Sequence, residues 1–284
     1  MIKPSPNTAV FDLDNTPWDW VGYAVKAYPA MRDLLVRKTG ETREKVTACM
    51  RNFYQRAGTL ESSWLVQDLE RQGLFAADEA DREKLIRAVR TTFHACRQKY
   101  LKLCDGFPEI FNQAVENEVT LVLHTDSPAT HAASRIKHVK LDQNLFSGMI
   151  AMPDSLPKEV PEKFRNKFER ENYGLRFPVY LADREKPNTH VEELLGMTSE
   201  EISEMVVYIG DNYGKDMGQA NRLHCLGIHA EWAKASQTDL EIIREFSGHQ
   251  IANRNSAQDT TVIRFPNVFP AKHPSDIARI LGWT

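Results

Sequence analysis

Two kinds of hydrophobic patterning alternate along the chain, and the change between them divides it. The run "TAVF" at 8–11 is continuously apolar and short, as a strand covered on both faces should be. It passes directly into the polar positions Asp12, Asp14 and Thr16. From about 18 to 103 no strand-like run appears, and apolar residues recur at helical spacing. The clearest case is "ADEADREKLIRAVRTTFHACRQKYLKL", which sets Leu85, Ile86, Val89, Phe93, Cys96 and Tyr100 on one side and acids in the first turn. This helical block stops at "CDGFPE", where Asp105-Gly106 signals a turn and Pro108 is placed to open another helix.

Beyond it, short apolar runs alternate with helical stretches: "VTLVLHT" (119–125), "FPVYLAD" (177–183), "MVVYIGD" (205–211), "CLGIHAE" (225–231) and "TVIRF" (261–265). Such alternation predicts βαβ units and a parallel sheet. Thr198 and Glu201 have capping-box spacing ahead of "VVYI". The segment 153–172, "PDSLPKEVPEKFRNKFEREN", is rich in charge and proline and reads as a solvated excursion with a short helix. The expected fold is therefore α/β, a Rossmann-like doubly wound parallel sheet with an all-helical insertion after its first strand. Residues 1–16 form the first strand and its loop, 17–104 the helical insertion, and 105–284 the rest of the sheet domain.

Composition fits this picture and removes some functions. The 284 residues, 42% hydrophobic and 26% charged with a net charge of -3, suffice for a sizeable core but lack the basic face expected of a nucleic-acid binder. The N-terminal "MIKPSPNTAVFDLD" has no long apolar run, so the expectation is a cytoplasmic protein without membrane contact. Cys49, Cys96, Cys104 and Cys225 are scattered, which indicates neither a disulfide framework nor a thiolate metal site. His94 and Cys96, near Cys104, read as part of one helix face.

The candidate chemistry lies where the strands end. Asp12 and Asp14, two residues apart in extended chain, point to the same side. Thr125 ends the second strand-like run; Asp126, Ser127 and Pro128 follow, with Ser127 able to cap a helix that Pro128 begins. Lys186-Pro187 follows "VYLAD", and "GDNYGKD" places Asp211 and Asp216 after "VVYI". Like charges about 4 Å apart cost about 4 kcal/mol at an effective dielectric of about 20, so gathering these acids requires a cation. Oxygen-only donors point to a hard ion such as Mg2+. A lysine, a threonine hydroxyl and free N–H groups at a helix start suit a phosphate dianion.

In this order and setting, "VFDLDNT", "LVLHTDS", "REKP" and "YIGDNYGKD" resemble the four motifs of the haloacid dehalogenase-like superfamily of phosphohydrolases. The resemblance covers residues 1–16 and about 105–231, and the helical block occupies the position of the cap many members carry. It implies that Asp12 is the nucleophile that forms an aspartyl-phosphate, and that Asp14 protonates the leaving oxygen and then deprotonates water. It implies Asp12, Asp211 and the Asp14 backbone carbonyl as Mg2+ ligands, with Asp216 binding the ion through water or orienting Lys186. Thr125 and Lys186 would hold the phosphoryl oxygens, with Lys158, also beside a proline, as the rival lysine. Thr16 ties down the loop, and His124 is a packed side chain.

The implied activity is hydrolysis of a small phosphorylated metabolite. A phosphomutase or phosphotransferase with the same intermediate, or a non-catalytic regulatory protein, are the alternatives. A dehalogenase is disfavoured because the second acid, Asp14, is present. Pro17, Trp18 and Trp20 depart from the family pattern where a cap hinge is expected.

Overall fold

The computed structural model describes residues 6–154, 171–232, 235–255 and 265–283, the last seven residues of the third segment by their backbone alone. The chain forms two compact units. One comprises Met1–Asp19, Lys102–Lys234 and Ala257–Thr284, and the other Trp20–Leu101 and Ala235–Ser256.

The first unit is built on a sheet of seven parallel strands: β1 (Thr8–Phe11), β2 (Thr120–Pro128), β3 (Phe146–Met152), β4 (Val179–Leu181), β5 (Val206–Gly210), β6 (Leu226–Ala230) and β7 (Val268–Ala271). Their order, β4-β3-β2-β1-β5-β6-β7, puts β1 at the centre, with the chain winding outward first to one side and then to the other. β1 and β5 are buried throughout, which accounts for their unbroken apolar runs. Val10, Val122, Ile150, Tyr208 and Met217 share one core cluster on one side of this sheet.

β3 was not among the expected strands: "FSGMIAM" carries Ser147 and Gly148 inside it, which break the apolar run. Ser147 is nonetheless accommodated, its hydroxyl donating to the Leu121 carbonyl. The strand expected at 261–265 lies, except for Phe265, outside the described residues, and the edge strand of that flank is β7. Most of the excursion expected at 153–172 is likewise outside them, as is Lys158. The helix Ser199–Met205 begins with the expected capping box, formed by Thr198 and Glu201.

The second unit contains helices Trp20–Thr39, Arg43–Ala57, Leu65–Arg71 and Glu79–Tyr100, together with the helical stretch Gln237–Asn255. That last stretch was expected in the sheet domain from its place in the chain. Its apolar positions Leu240, Ile243 and Phe246, three apart, are all buried. Tyr28 lies 5.9 Å from Phe246 between ring centroids, and Arg32, itself buried, pairs with Glu245 at 2.7 Å. In the helix Glu79–Tyr100 the inward face holds for Leu85, Ile86 and Val89, whereas Tyr100 at its end is exposed. No described helix is long and apolar enough to cross a membrane.

Candidate active site

Parallel pairing brings the chemically rich strand ends to one edge. Phe11 pairs with Leu123 on one side and with Ile209 on the other. The residues just beyond them, Asp12, His124-Thr125 and Gly210-Asp211, therefore leave the sheet side by side. The Asp12 N–H still donates to the Ile209 carbonyl at 2.8 Å, so the start of the loop is held by the sheet.

Lys186 lies at the centre of the cluster. Its Nζ donates to Asp12 Oδ1 at 2.6 Å, to Asp216 Oδ1 at 2.5 Å and to the His124 carbonyl at 3.2 Å. All three of a lysine's N–H donors thus have acceptors. Burial opposes the charge on Lys186, but Asp12 and Asp216 outweigh it and hold its pKa well above the ordinary lysine value. Asp216 is fixed from its other oxygen by the Asn212 N–H at 2.9 Å. Gly210 makes room for it, since a Cβ there would fall 2.4 Å from the Asp216 carboxyl carbon.

Asp12, Asp211 and Asp216 each present an oxygen such that all three lie within 4.8 Å of one another. Burial pushes the Asp12 carboxyl up to about 8 against the attraction of Lys186, and Asp216 adds to the rise. Burial and the neighbouring Asp12 and Asp216 raise Asp211 well above the usual carboxylate range. Three acids crowded round one lysine are under-neutralised, and a divalent cation between them would reverse both shifts. The all-oxygen donor set suits a hard ion.

The loop after Asp12 is cross-tied. Thr16 Oγ1 donates to Asp12 Oδ2 at 3.2 Å, and the Trp232 ring N–H donates to the Thr16 carbonyl at 2.9 Å. Asn15 turns the chain at φ 64, a left-handed conformation that asparagine tolerates, and its N–H donates to the Trp18 carbonyl. Trp18, beside Pro17 where a cap hinge was expected, is fully buried.

The Asp14 carboxylate has hydrogen-bond partners of its own, and its charge adds to the rise of Asp12 and Asp211. Its Oδ1 accepts from the Trp18 ring N–H at 2.7 Å, and its Oδ2 accepts from Ser127 Oγ at 2.5 Å and Arg135 Nη2 at 2.9 Å. Ser127 therefore does not cap the helix Ala129–His138, which begins without a side-chain cap bond, and its hydroxyl is turned to Asp14. Thr125 is buried and its hydroxyl accepts from the Ser127 N–H at 3.1 Å.

Three further residues join the site, one of them, Arg135, outside the four motifs. Arg135 is one of several basic residues in the last turn of a short helix, beside Lys137 and His138. Asp126 accepts from the Lys186 N–H at 2.9 Å and pairs with Lys215 at 2.8 Å, and the pull of these two lysines outweighs burial and lowers its pKa. Its place directly after Thr125 was the available signal. His124 is fully buried between Tyr208, 3.0 Å from Nδ1, and Asn188, 3.3 Å from Nε2. Burial and the adjacent Lys186 hold its pKa well below the ordinary histidine value, so it is a neutral packed ring.

No protein-family model matches the chain, and no curated protein does. Solved structures do match it. A 2-haloacid dehalogenase from Pseudomonas syringae pv. Tomato is similar at TM-score 0.57 and 15% identity, over 98% of both chains. A haloacid dehalogenase-like family hydrolase from Xanthomonas campestris matches at TM-score 0.55 and 15% identity, over 98% of this chain and 96% of its own. A HAD phosphatase from Thermococcus onnurineus matches at TM-score 0.55 and 13% identity, over 98% of both.

Proposed function

We propose that this chain, which has the haloacid dehalogenase-like fold, is a Mg2+-dependent phosphatase that hydrolyses a small phosphomonoester through an aspartyl-phosphate on Asp12. The observation that supports this most is the convergence of Asp12, Asp211 and Asp216 within 4.8 Å, with Lys186 bonded to two of them. Simple packing does not call for three acids and a buried lysine at one strand edge, whereas an ion and a phosphoryl dianion together do.

In this reading Asp12, Asp211 and the Asp14 carbonyl hold Mg2+, and Asp216 orients Lys186. The bound ion supplies neutralisation of charge on the phosphoryl oxygens. Asp12 attacks phosphorus as the bond to the ester oxygen breaks, and that oxygen departs with the bonding pair and takes the Asp14 proton. Water then attacks the aspartyl-phosphate, gives a proton to Asp14 and releases the Asp12 carboxylate. In both steps the Thr125 hydroxyl holds a phosphoryl oxygen and the Lys186 charge, with its N–H donors on Asp12, Asp216 and the His124 carbonyl, stabilises the phosphoryl group from beside it. The small size of the ester is the expectation attached to the helical insertion.

Phosphate release from a panel of sugar phosphates, nucleotides and phosphorylated amino acids, with Mg2+ and with chelator, tests the proposal. Turnover is expected only with the metal, and Asp12→Asn is expected to abolish it. Metal-dependent turnover surviving in that variant removes Asp12 from the nucleophile's role. Dehalogenation of a 2-haloacid without phosphate release from any ester refutes the phosphatase reading altogether.

A further inference from the structure

We propose that Gln219 is a positioning residue for Lys186, fixing the main chain from which that lysine reaches Asp12 and Asp216. The tether itself is independent of the reaction, and its catalytic consequence rests on the phosphatase reading above. Lys186 lies in the connection 182–189, between β4 and the helix His190–Leu195. A flexible four-carbon stem does not by itself put an ammonium 2.6 Å from one carboxylate oxygen and 2.5 Å from another. The origin of the stem has to be held.

Gln219 holds it two residues further along. Its Oε1 accepts the Asn188 N–H at 2.6 Å and its Nε2 donates to the Asn188 carbonyl at 2.9 Å. The side-chain amide thus pairs with both backbone groups of one residue, as a neighbouring strand would. Asn188 passes the restraint along the connection. Its Oδ1 accepts the His190 N–H at 3.1 Å and its Nδ2 donates to the Arg184 carbonyl at 3.2 Å, one bond on either side of Lys186. Gln219 and Asn188 are 0% and 1% exposed, so water offers no replacement for these bonds.

What singles out Gln219 is the element that carries it. It stands three residues after Asp216 in continuous helical turns, Tyr213–Met217 and Gly218–Arg222. Asp216 takes the Lys186 ammonium and Gln219 takes the main chain beside that lysine, so both ends of Lys186 are referred to one piece of structure. A change at Gln219 therefore loosens the span between them and leaves every charge of the cluster in place. Gln219 itself touches no reacting atom. Stabilisation by a fixed charge is needed most as the transition state forms, so a looser stem lowers kcat more than it raises KM.

Gln219→Met is close in size and removes both bonds. Two readings are taken on the full-length protein with Mg2+: kcat and KM for 4-nitrophenyl phosphate, and the ammonium signal of Lys186 by magnetic resonance in protein labelled at lysine nitrogen, assigned by its absence from Lys186→Arg. A slowly exchanging signal is expected in the unaltered protein, since Lys186 is the only lysine among the buried described residues and all its N–H donors are engaged. In Gln219→Met, kcat is expected to fall on the order of 10-fold with KM within about 2-fold, and the Lys186 protons to exchange on the order of 10-fold faster. Gln219→Asn, one methylene short of spanning both backbone groups, carries the test if Gln219→Met does not fold. An unchanged Lys186 signal overturns the assignment whatever happens to kcat. A loss of stability with both readings unchanged marks a purely structural glutamine and overturns it too. Where the unaltered protein releases no phosphate at all, the phosphatase reading fails, and the exchange rate still decides the tether.

Discussion

Gly210→Ala is the most direct probe of how tightly the site is assembled. The backbone at Gly210 has no unusual torsion, so the substitution acts through space alone. The new methyl carbon would lie 2.4 Å from Asp216 Cγ and Oδ2 and 2.5 Å from Asp216 Cβ, whereas ordinary contact begins at 3.4 Å. The Asp216 carboxylate must therefore retreat by about 1 Å. It has little freedom to do so, being 1% exposed and anchored to Lys186 Nζ at 2.5 Å and the Asn212 N–H at 2.9 Å. A retreat of that size cannot keep both the Lys186 and the Asn212 contacts at their present lengths. Loss of a bond between charged groups costs roughly 1.5–3 kcal/mol, and overpacking costs roughly 1–3 kcal/mol. Allowing for partial relaxation, a destabilisation of about 2–4 kcal/mol is expected in urea unfolding. A displacement of about 1 Å, passed to Lys186, also predicts an activity loss on the order of 10²-fold. A Gly210→Ala protein within about 0.5 kcal/mol of the original, and with unchanged turnover, would refute the claim that Asp216 is confined where this geometry puts it.

Further expectations concern the buried charges. Lys186→Met leaves Asp12 and Asp216 buried without their lysine; unfolding in chelator at neutral pH should show a loss of roughly 3–5 kcal/mol, partly restored by Mg2+. Near-original stability in chelator would mean that the lysine is not their principal counter-charge. His124 has a folded-state pKa well below its unfolded value of 6.5, so its contribution is complete above that pH and is lost as pH falls toward the folded value. Each unit below about pH 6.5 should remove up to about 1.4 kcal/mol, and His124→Gln should flatten that part of the stability profile; an unchanged slope would show that the ring protonates freely in the folded state.

The parts of the fold visible in the sequence were those with a strong local pattern. Asp12, Asp14, Asp211 and Asp216 were conspicuous because acids end runs that otherwise read as buried strands, and the sheet then brings Asp12, Asp211 and Asp216 together. β3 was hidden by Ser147 and Gly148, whose accommodation depends on Leu121 and on the close approach of Tyr180 from the neighbouring strand. Arg135 was invisible for a related reason. A cation on a short helix reads as solvated, and only the path of the chain from β1 to β2 and onward reveals the carboxylate it meets. Ser127 showed the converse: local spacing favoured a helix cap, and a charge far away in sequence claimed the hydroxyl instead.

The return of Gln237–Asn255 to the helical unit has a consequence for engineering. An insertion made from one continuous stretch can be exchanged between relatives as a cassette, by cutting at its two ends. Here the polypeptide would need to be severed at four places, because the unit combines Trp20–Leu101 with Ala235–Ser256. A chimera that transplants only the earlier stretch would strip Tyr28 and Arg32 of Phe246 and Glu245 and expose an apolar seam to water.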